Sequence, residues 1–267
     1  MQAIEHRSEL VMKTILIKCG GSVIDQLSEG FFTSIKKLQQ DGFHIIFVHG
    51  GGPDINEMLD LLSVKAEFHN GLRKTTKEAL AVVEMVLSGK TNRKLVDLLR
   101  KNNLYAVGLN GTDDNCLLAS IIDEENLGFV GNVEEVNNKL IIRLLEEGYI
   151  PVVTPLGITA EGIKLNINAD YAASAVAKSL QVEQCLFVTD VDGIMINSEV
   201  ASLIGKEEVL QYIEEGQITG GMVPKVTSAL AAIDSGLNSA MIVSGKKEFY
   251  SDEIWNGTKI VAKAEVM

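Results

Sequence analysis

Little in this chain of 267 residues would break or staple a fold: it has 4 prolines and 3 cysteines. So few prolines beside 46% hydrophobic residues exclude a disordered chain and fit a globular one. Cys19, Cys116 and Cys185 are odd in number, far apart and without metal-ligand spacing. That excludes a disulfide framework and reads as reduced thiols of a cytosolic protein. The Asn-Gly-Thr triplets at Asn110 and Asn256 then mark turns, not glycosylation. His6, His44, His49 and His69 form no spaced cluster, so no zinc site is expected. No stretch approaches the ~18 apolar residues of a membrane span. Met1 to Leu10 is charged and lacks the apolar core of a secretory signal. A basic surplus is missing too: 24 Lys and Arg face 36 Asp and Glu, for a net charge of −12. That argues against nucleic-acid binding.

What is present is an alternation. Apolar runs at 14–18, 43–48, 104–109, 150–154, 185–189 and 239–243 read as buried strands. Helical patterns fall at 28–40, 54–62, 76–101, 134–147, 169–180, 206–215, 223–236 and 248–255. The order implies an α/β fold with an open, mainly parallel sheet between helix layers. Segments 112–133 and 156–167 read as β-hairpins, and Thr75 with Glu78 as a capping box opening the long third helix. With no repeat or low-complexity linker, residues 12–267 read as one two-lobed domain, and 1–11 as an N-terminal extension.

Two strand ends open into glycines. Thr14–Ile17 runs into Lys18-Cys19-Gly20-Gly21, and Phe43–Val48 into His49-Gly50-Gly51-Gly52 before a helix. Glycine lets backbone N–H groups approach an anion, and a helix N-terminus adds positive partial charge. One such turn is ordinary; a pair with a lysine on the first suggests a phosphate site. A second lysine, Lys225, follows Thr219-Gly220-Gly221 in the first turn of another helix, a place lysine disfavours unless an anion sits there. The net charge sharpens this, because a few cations must reverse the overall field locally. Gly89-Lys90-Thr91 imitates the end of a P-loop, but Glu84 stands where its first glycine belongs and the pattern is helical.

Asn166-x-Asn168-x-Asp170 reads as the cap of helix 169–180, with Asn166 to spare for a polar wall. Arg73, in the basic loop Asn70–Thr75, carries a planar fork that suits a carboxylate. Phe187–Thr189 ends in Asp190-Val191-Asp192-Gly193 at what would be a strand's carboxyl end. There the aspartates could bind metal, cap a turn or flank a nucleotide; the last reading suits the edge where α/β sheets collect ligands.

In this order, from about Met12 to Val261, the segments resemble the amino acid kinase family. The resemblance rests on Lys18-x-Gly-Gly, His49-Gly-Gly-Gly52, Asn70-Gly-Leu-Arg73, Asn166-x-Asn-x-Asp170, Thr189-Asp-x-x-Gly193 and Gly220-Gly-Met-x-x-Lys225. It departs at Cys19, where an aliphatic residue is usual. It implies ATP with Mg²⁺ held mainly through the nucleotide, and transfer to the side-chain carboxylate of N-acetyl-L-glutamate. It implies an acylamino-acid lobe at about 12–165 and a nucleotide lobe at about 166–267. Lys18 and Lys225 would stabilise the transition state, with Asp170 organising them. Gly51, Gly52, Arg73 and Asn166 would hold the acid; Gly20, Gly21, Asp190, Val191, Asp192, Gly193 and Thr219 would hold the nucleotide.

A carboxylate nucleophile requires no general base, so the missing catalytic histidine is expected. Three alternatives accompany this reading: a carrier-linked aminoadipate kinase, a small-molecule-phosphate kinase, and a sensor that kept the fold without turnover. Isopentenyl phosphate kinases carry a histidine where this chain has Pro53–Asn56, and aspartate kinases need domains for which there is no room. The family implies a homodimer along helix 76–101, whose Leu80, Val83, Leu87 and Leu95 exceed what one sheet face needs. Met1–Leu10 is short for the helix that joins dimers into hexamers, so little arginine inhibition is expected.

Overall fold

Along Thr14–Cys19 the side chains alternate, with Ile15 and Ile17 turned to one face of a sheet and Leu16 to the other. Both faces are buried, as a parallel sheet between helices requires. The same division recurs at Ile45 and Phe47 against Ile46 and Val48, and at Leu186 and Val188 against Phe187. The computed structural model describes residues 12–262; the N-terminal extension expected at 1–11 lies outside them.

Eight strands form the central sheet: β1 (Thr14–Cys19), β2 (His44–His49), β3 (Ala106–Asn110), β4 (Ile150–Thr154), β5 (Gln184–Thr189), β6 (Leu203–Gly205), β7 (Ser239–Ser244) and β8 (Thr258–Val261). Their spatial order is β6-β8-β7-β5-β1-β2-β4-β3, and every pair is parallel except β7 with β8. Helices Lys139–Glu146, Ala169–Ser179 and Met222–Asp234 cover one face, and Glu29–Gln40 with Asn92–Lys101 the other. Four short strands, Leu117–Ile121, Val130–Val136, Leu156–Ile158 and Lys164–Ile167, close on one another beside the sheet. Both expected hairpins supply them. Because six neighbouring strands run the same way, the segments after Cys19, His49, Thr154, Thr189 and Ser244 share one edge.

Several local expectations are corrected. Residues 248–255 are not a helix but a tight hairpin, Tyr250–Ser251 against Ile254–Trp255, turned by Asp252 and Glu253 at positive φ. Aromatic packing decides this, since Phe249 and Tyr250 both meet Trp255 and Phe249 meets Phe31. The helix expected from 134 starts at Lys139, because Glu135 and Val136 pair with Leu118 and Leu117 in the sheet. Thr76, not Thr75, caps the long third helix, accepting from Ala79 N. That helix is α-helical over Lys77–Glu84 and Asn92–Lys101 but π-helical over Met85–Thr91. Its Val83, Leu87 and Leu95 are buried within their own chain, so they are not surplus. The basic loop around Arg73 is a hairpin, Glu67–His69 with Leu72–Lys74.

Candidate active site

The two glycine turns touch. A Cβ on Gly21 would come within 2.8 Å of Gly51 Cα, and one on Gly51 within 2.6 Å of Leu87 Cδ2. At Gly21 backbone leaves no room for a side chain, and at Gly51 one would have to displace the Leu87 side chain. Gly20 and Gly52 differ: a Cβ on Gly52 meets nothing within 4 Å, and one on Gly20 only Val23 Cγ2 at 4.0 Å. Their missing side chains leave open space at the strand ends. The π-helical stretch sets the back wall, since Leu87 and Thr91 both lie against Gly51. Thr91 Oγ1 also donates to Asp54 Oδ2 in the first turn of the helix Gly52–Leu61, at 3.0 Å.

Lys18 leaves the end of β1 beside this turn, its Nζ 2.7 Å from Asp170 Oδ1. The side chains are only 16% and 20% exposed. Asn168 caps the helix Ala169–Ser179, accepting from Asp170 N and Tyr171 N, and so holds Asp170 at the sheet edge. The other carboxylate oxygen accepts from Ser228 Oγ at 2.9 Å. Ser228 lies three residues beyond Lys225 on the helix Met222–Asp234, so this bond ties that helix to the Lys18–Asp170 pair. Ser228 was not among the residues read from the sequence, although its position one turn from Lys225 was a usable signal.

Lys225 itself meets Asp190, not Asp170, at 2.5 Å, with the two side chains 26% and 44% exposed. The hydrogen bond from Lys225 holds the Asp190 carboxyl below the usual carboxylate range. Asp192 takes Lys247 at 2.5 Å. The turn between them is fixed by Thr189, whose Oγ1 donates to Val191 O at 3.0 Å and accepts from Val191 N. Gly193 follows at a φ of 157°, tight against Thr258. Thr219 is exposed, its carbonyl accepting from Met222 N as the helix begins.

Asp170, the partner of Lys18, also lines a cavity of about 200 Å³ together with Gly50, Gly51, Gly52, Arg73 and Asn166 among others. Arg73 is 9% exposed and lies over the Phe68 ring, 4.6 Å from its centroid. Its Nη2 donates to Asn56 Oδ1 at 2.6 Å, while its Nη1 is buried with no partner. Burial lowers the guanidinium pKa from its ordinary value, yet guanidinium stays charged in proteins. A buried cationic donor without an acceptor costs about 1–3 kcal/mol or more. An anionic oxygen in the cavity would remove that cost. Asn166 Nδ2 donates to Thr75 Oγ1 at 3.1 Å, which in turn donates to Arg73 O.

Gly51, Gly52, Arg73, Asn166 and Asp170 thus line one cavity, while Asp190, Asp192, Gly193 and Thr219 lie outside its lining, and the helix carrying Lys225 is tied to the Lys18–Asp170 pair through Ser228. The thiols take no part: burial pushes Cys19, Cys116 and Cys185 up to about 12. The carboxylates of the crevice are each engaged by a lysine, and among the described residues no group of three His, Cys, Asp or Glu could hold a metal.

Residues 13–244 match the pattern of the amino acid kinase family. A protein of Geobacillus kaustophilus (strain HTA426) named acetylglutamate kinase is 53% identical over 248 residues, 93% of this chain and 96% of its own length. Another of that name from Bacillus pumilus (strain SAFR-032) is 46% identical over 255 residues, 96% of this chain and 99% of its own. Among solved structures, smu.665 of Streptococcus mutans UA159 superposes with a TM-score of 0.80 at 33% identity, covering 94% of this chain and all of that one.

Proposed function

The chain belongs to the amino acid kinase family, and we infer from its site that it transfers the ATP γ-phosphoryl group to the side-chain carboxylate of N-acetyl-L-glutamate. The product is an acyl phosphate for arginine biosynthesis. The observation that carries the choice of acceptor is Arg73, a buried guanidinium with an unpartnered Nη1 on the wall of a cavity beside Lys18. It suits the α-carboxylate, with Asn166 beside it for the acetylamide. The names of relatives at 46–53% identity support the same acceptor. They do not favour a carrier-linked aminoadipate or an isoprenoid phosphate. Lys18, Asp170 and Lys225 are all present in the chain, which speaks against a sensor without turnover.

In the proposed step a carboxylate oxygen attacks the γ-phosphorus as the bond to the β–γ bridging oxygen breaks, releasing ADP with no proton transferred. Repulsion between two anions is the obstacle, and positioning with positive charge removes it. Lys18 and Lys225 supply charge at the transferring group, and Asp170 holds Lys18 in line. Gly51 and Gly52 sit against the acceptor, while Gly20, Gly21, Asp190, Val191, Asp192, Gly193 and Thr219 line the nucleotide side. Mg²⁺, carried on the ATP phosphates, adds charge neutralisation. The acid lobe is then about 12–165 and the nucleotide lobe about 166–267.

A two-fold homodimer along 76–101, where Met85 is 57% exposed, and a cytoplasmic location complete the reading. No helix of the described residues is long and apolar enough to cross a membrane. Light scattering tests the assembly, and a monomer would remove it. A coupled assay of ADP release with N-acetylglutamate, glutamate, aspartate, aminoadipate and isopentenyl phosphate tests the activity. The first should exceed the others in kcat/KM by about 100-fold or more, the scale of a site whose buried donors lose their partner; equal or better turnover of another acceptor would overturn the assignment.

A further inference from the structure

Beneath the second glycine turn lies a polar knot in an otherwise apolar layer. His49 ends β2 fully buried, at 0% exposure. Its Nδ1 is 3.0 Å from Gly50 O. A carbonyl only accepts, so Nδ1 carries the proton. In a neutral ring Nε2 must then accept, and it meets Asn92 Nδ2 at 3.2 Å and Thr154 Oγ1 at 3.3 Å. The orientation of Asn92 is fixed independently, because the same Nδ2 donates to Val152 O at 2.8 Å. Asn92 Oδ1 in turn accepts from Arg93 Nη2. A second ring proton would set N–H against N–H next to that guanidinium. Burial, the largest cause, pushes the ring down to about 4.

This knot acts on a glycine segment already held on either side, Gly50 N donating to Cys19 O and Gly51 O accepting from Ile55 N. Three successive glycines impose little backbone conformation of their own, and of the peptide between Gly50 and Gly51 the carbonyl is held by the His49 ring. In a planar trans peptide the carbonyl and the following N–H point in opposite directions. Holding Gly50 O toward the buried ring turns Gly51 N–H away from the ring, in a turn whose Gly50, Gly51 and Gly52 line the cavity. Among the described residues no acceptor meets the N–H of Gly51 or Gly52.

We propose that His49, as the neutral Nδ1–H tautomer, is a positioning residue that locks the Gly50–Gly51 peptide so that its N–H faces the anionic oxygen formed or moved during transfer. This rests on the reading that the glycine turn borders the reacting groups. The value of such a donor lies in being fixed before charge develops.

Two isosteric changes separate this role from simple filling of space. His49→Asn keeps an N–H near the place of Nδ1, whereas His49→Gln puts its amide near the place of Nε2. The Asn variant should stay within about fivefold of the native kcat. The Gln variant should lose about 100-fold in kcat, the scale of one oxyanion donor, with KM for ATP little changed. Equal losses, or no loss in either, would overturn the proposal. If a variant does not fold, ¹⁵N shifts of the native His49 ring decide. A protonated Nδ1 with a bare Nε2 at pH 7 supports the proposal, and the other tautomer or a cation overturns it. That readout needs no turnover, so a protein inactive on every acceptor would sink the proposed reaction without touching the tautomer.

Discussion

The two halves of the crevice are built on different principles. On the acid side the polar groups are largely shielded before any ligand arrives: Lys18 and Asp170 form a mostly covered pair, Arg73 is 9% exposed with an unpartnered Nη1, and His49 is neutral beneath the glycines. On the proposed nucleotide side Lys225–Asp190 and Lys247–Asp192 are more exposed ion pairs, the first joining a helix's first turn to the turn after β5. Burial makes the first half a mould whose unsatisfied donors select one shape of anion. Exposure makes the second half exchangeable, since a surface pair is worth only about 0–1 kcal/mol and gives up its partner cheaply. A lysine that must leave a carboxylate for a phosphate is better held loosely.

The sharpest way to break this contrast is to remove each lysine. Both Lys18→Ala and Lys225→Ala should lower kcat by about 10²–10³, because each meets charge that develops during transfer. Their effects on stability should diverge. Losing Lys18 leaves a shielded Asp170 with only Ser228 as donor, at a cost of about 2 kcal/mol. Losing Lys225 should cost under about 1 kcal/mol. Urea unfolding of the two variants tests the contrast, and equal destabilisation would refute it.

The next prediction uses pH. The unfolded His49 titrates near its ordinary 6.5 and the folded one at about 4, so between those values the unfolded chain binds more protons. Stability from this group is therefore whole above pH 6.5 and falls as the pH drops toward 4, by about 3 kcal/mol in total. His49→Gln, which cannot titrate, should lose that part of the acid dependence. A native stability curve that stays flat from pH 7 to pH 4 would show that the ring is not held neutral.

Arg73→Lys comes third. Lysine keeps the charge but loses the planar fork and its stacking on Phe68, so KM for N-acetylglutamate should rise about 10–100-fold. KM for ATP should move less than about threefold, since the nucleotide half is separately built. A parallel rise of both constants would mean that the halves are not independent.

How much of this was legible in the sequence follows the same division between chemistry and packing. The strands feeding the site, the two glycine turns and the lysines could be read, because each leaves a local signature: an apolar run, Gly-Gly, a lysine in a helix's first turn. The partner of Lys225 could not, because Asp170 and Asp190 look alike until the sheet sets which one its ammonium reaches. His49 read as a lone histidine, since nothing local shows that Asn92 and Thr154 come together around it. Tertiary packing also overrode local pattern at Tyr250–Trp255, where a helical-looking run is pinned as a hairpin by Phe31 and Phe249. The π-helical stretch leaves no obvious mark, yet it brings Leu87 and Thr91 against Gly51.

The smallest expected effect probes the exposed half directly. Asp190 is 44% exposed by side chain and holds Lys225; on the proposed reading, in which it borders the nucleotide, its charge would compete with phosphate for that ammonium. Asp190→Asn keeps the size of the side chain and its ability to accept a hydrogen bond, but removes the charge. Stability should stay within about 0.5 kcal/mol, as for other surface pairs. KM for ATP should fall about two- to threefold at low ionic strength, a factor worth well under 1 kcal/mol. The difference should vanish in high salt, where the screening length shrinks to about 3 Å. KM for N-acetylglutamate should not change, because Arg73 and Asn166 line a cavity that Asp190 does not. If KM for ATP instead rose more than about tenfold, Asp190 would be a direct nucleotide ligand. The exposed half would then be as finished a mould as the buried one.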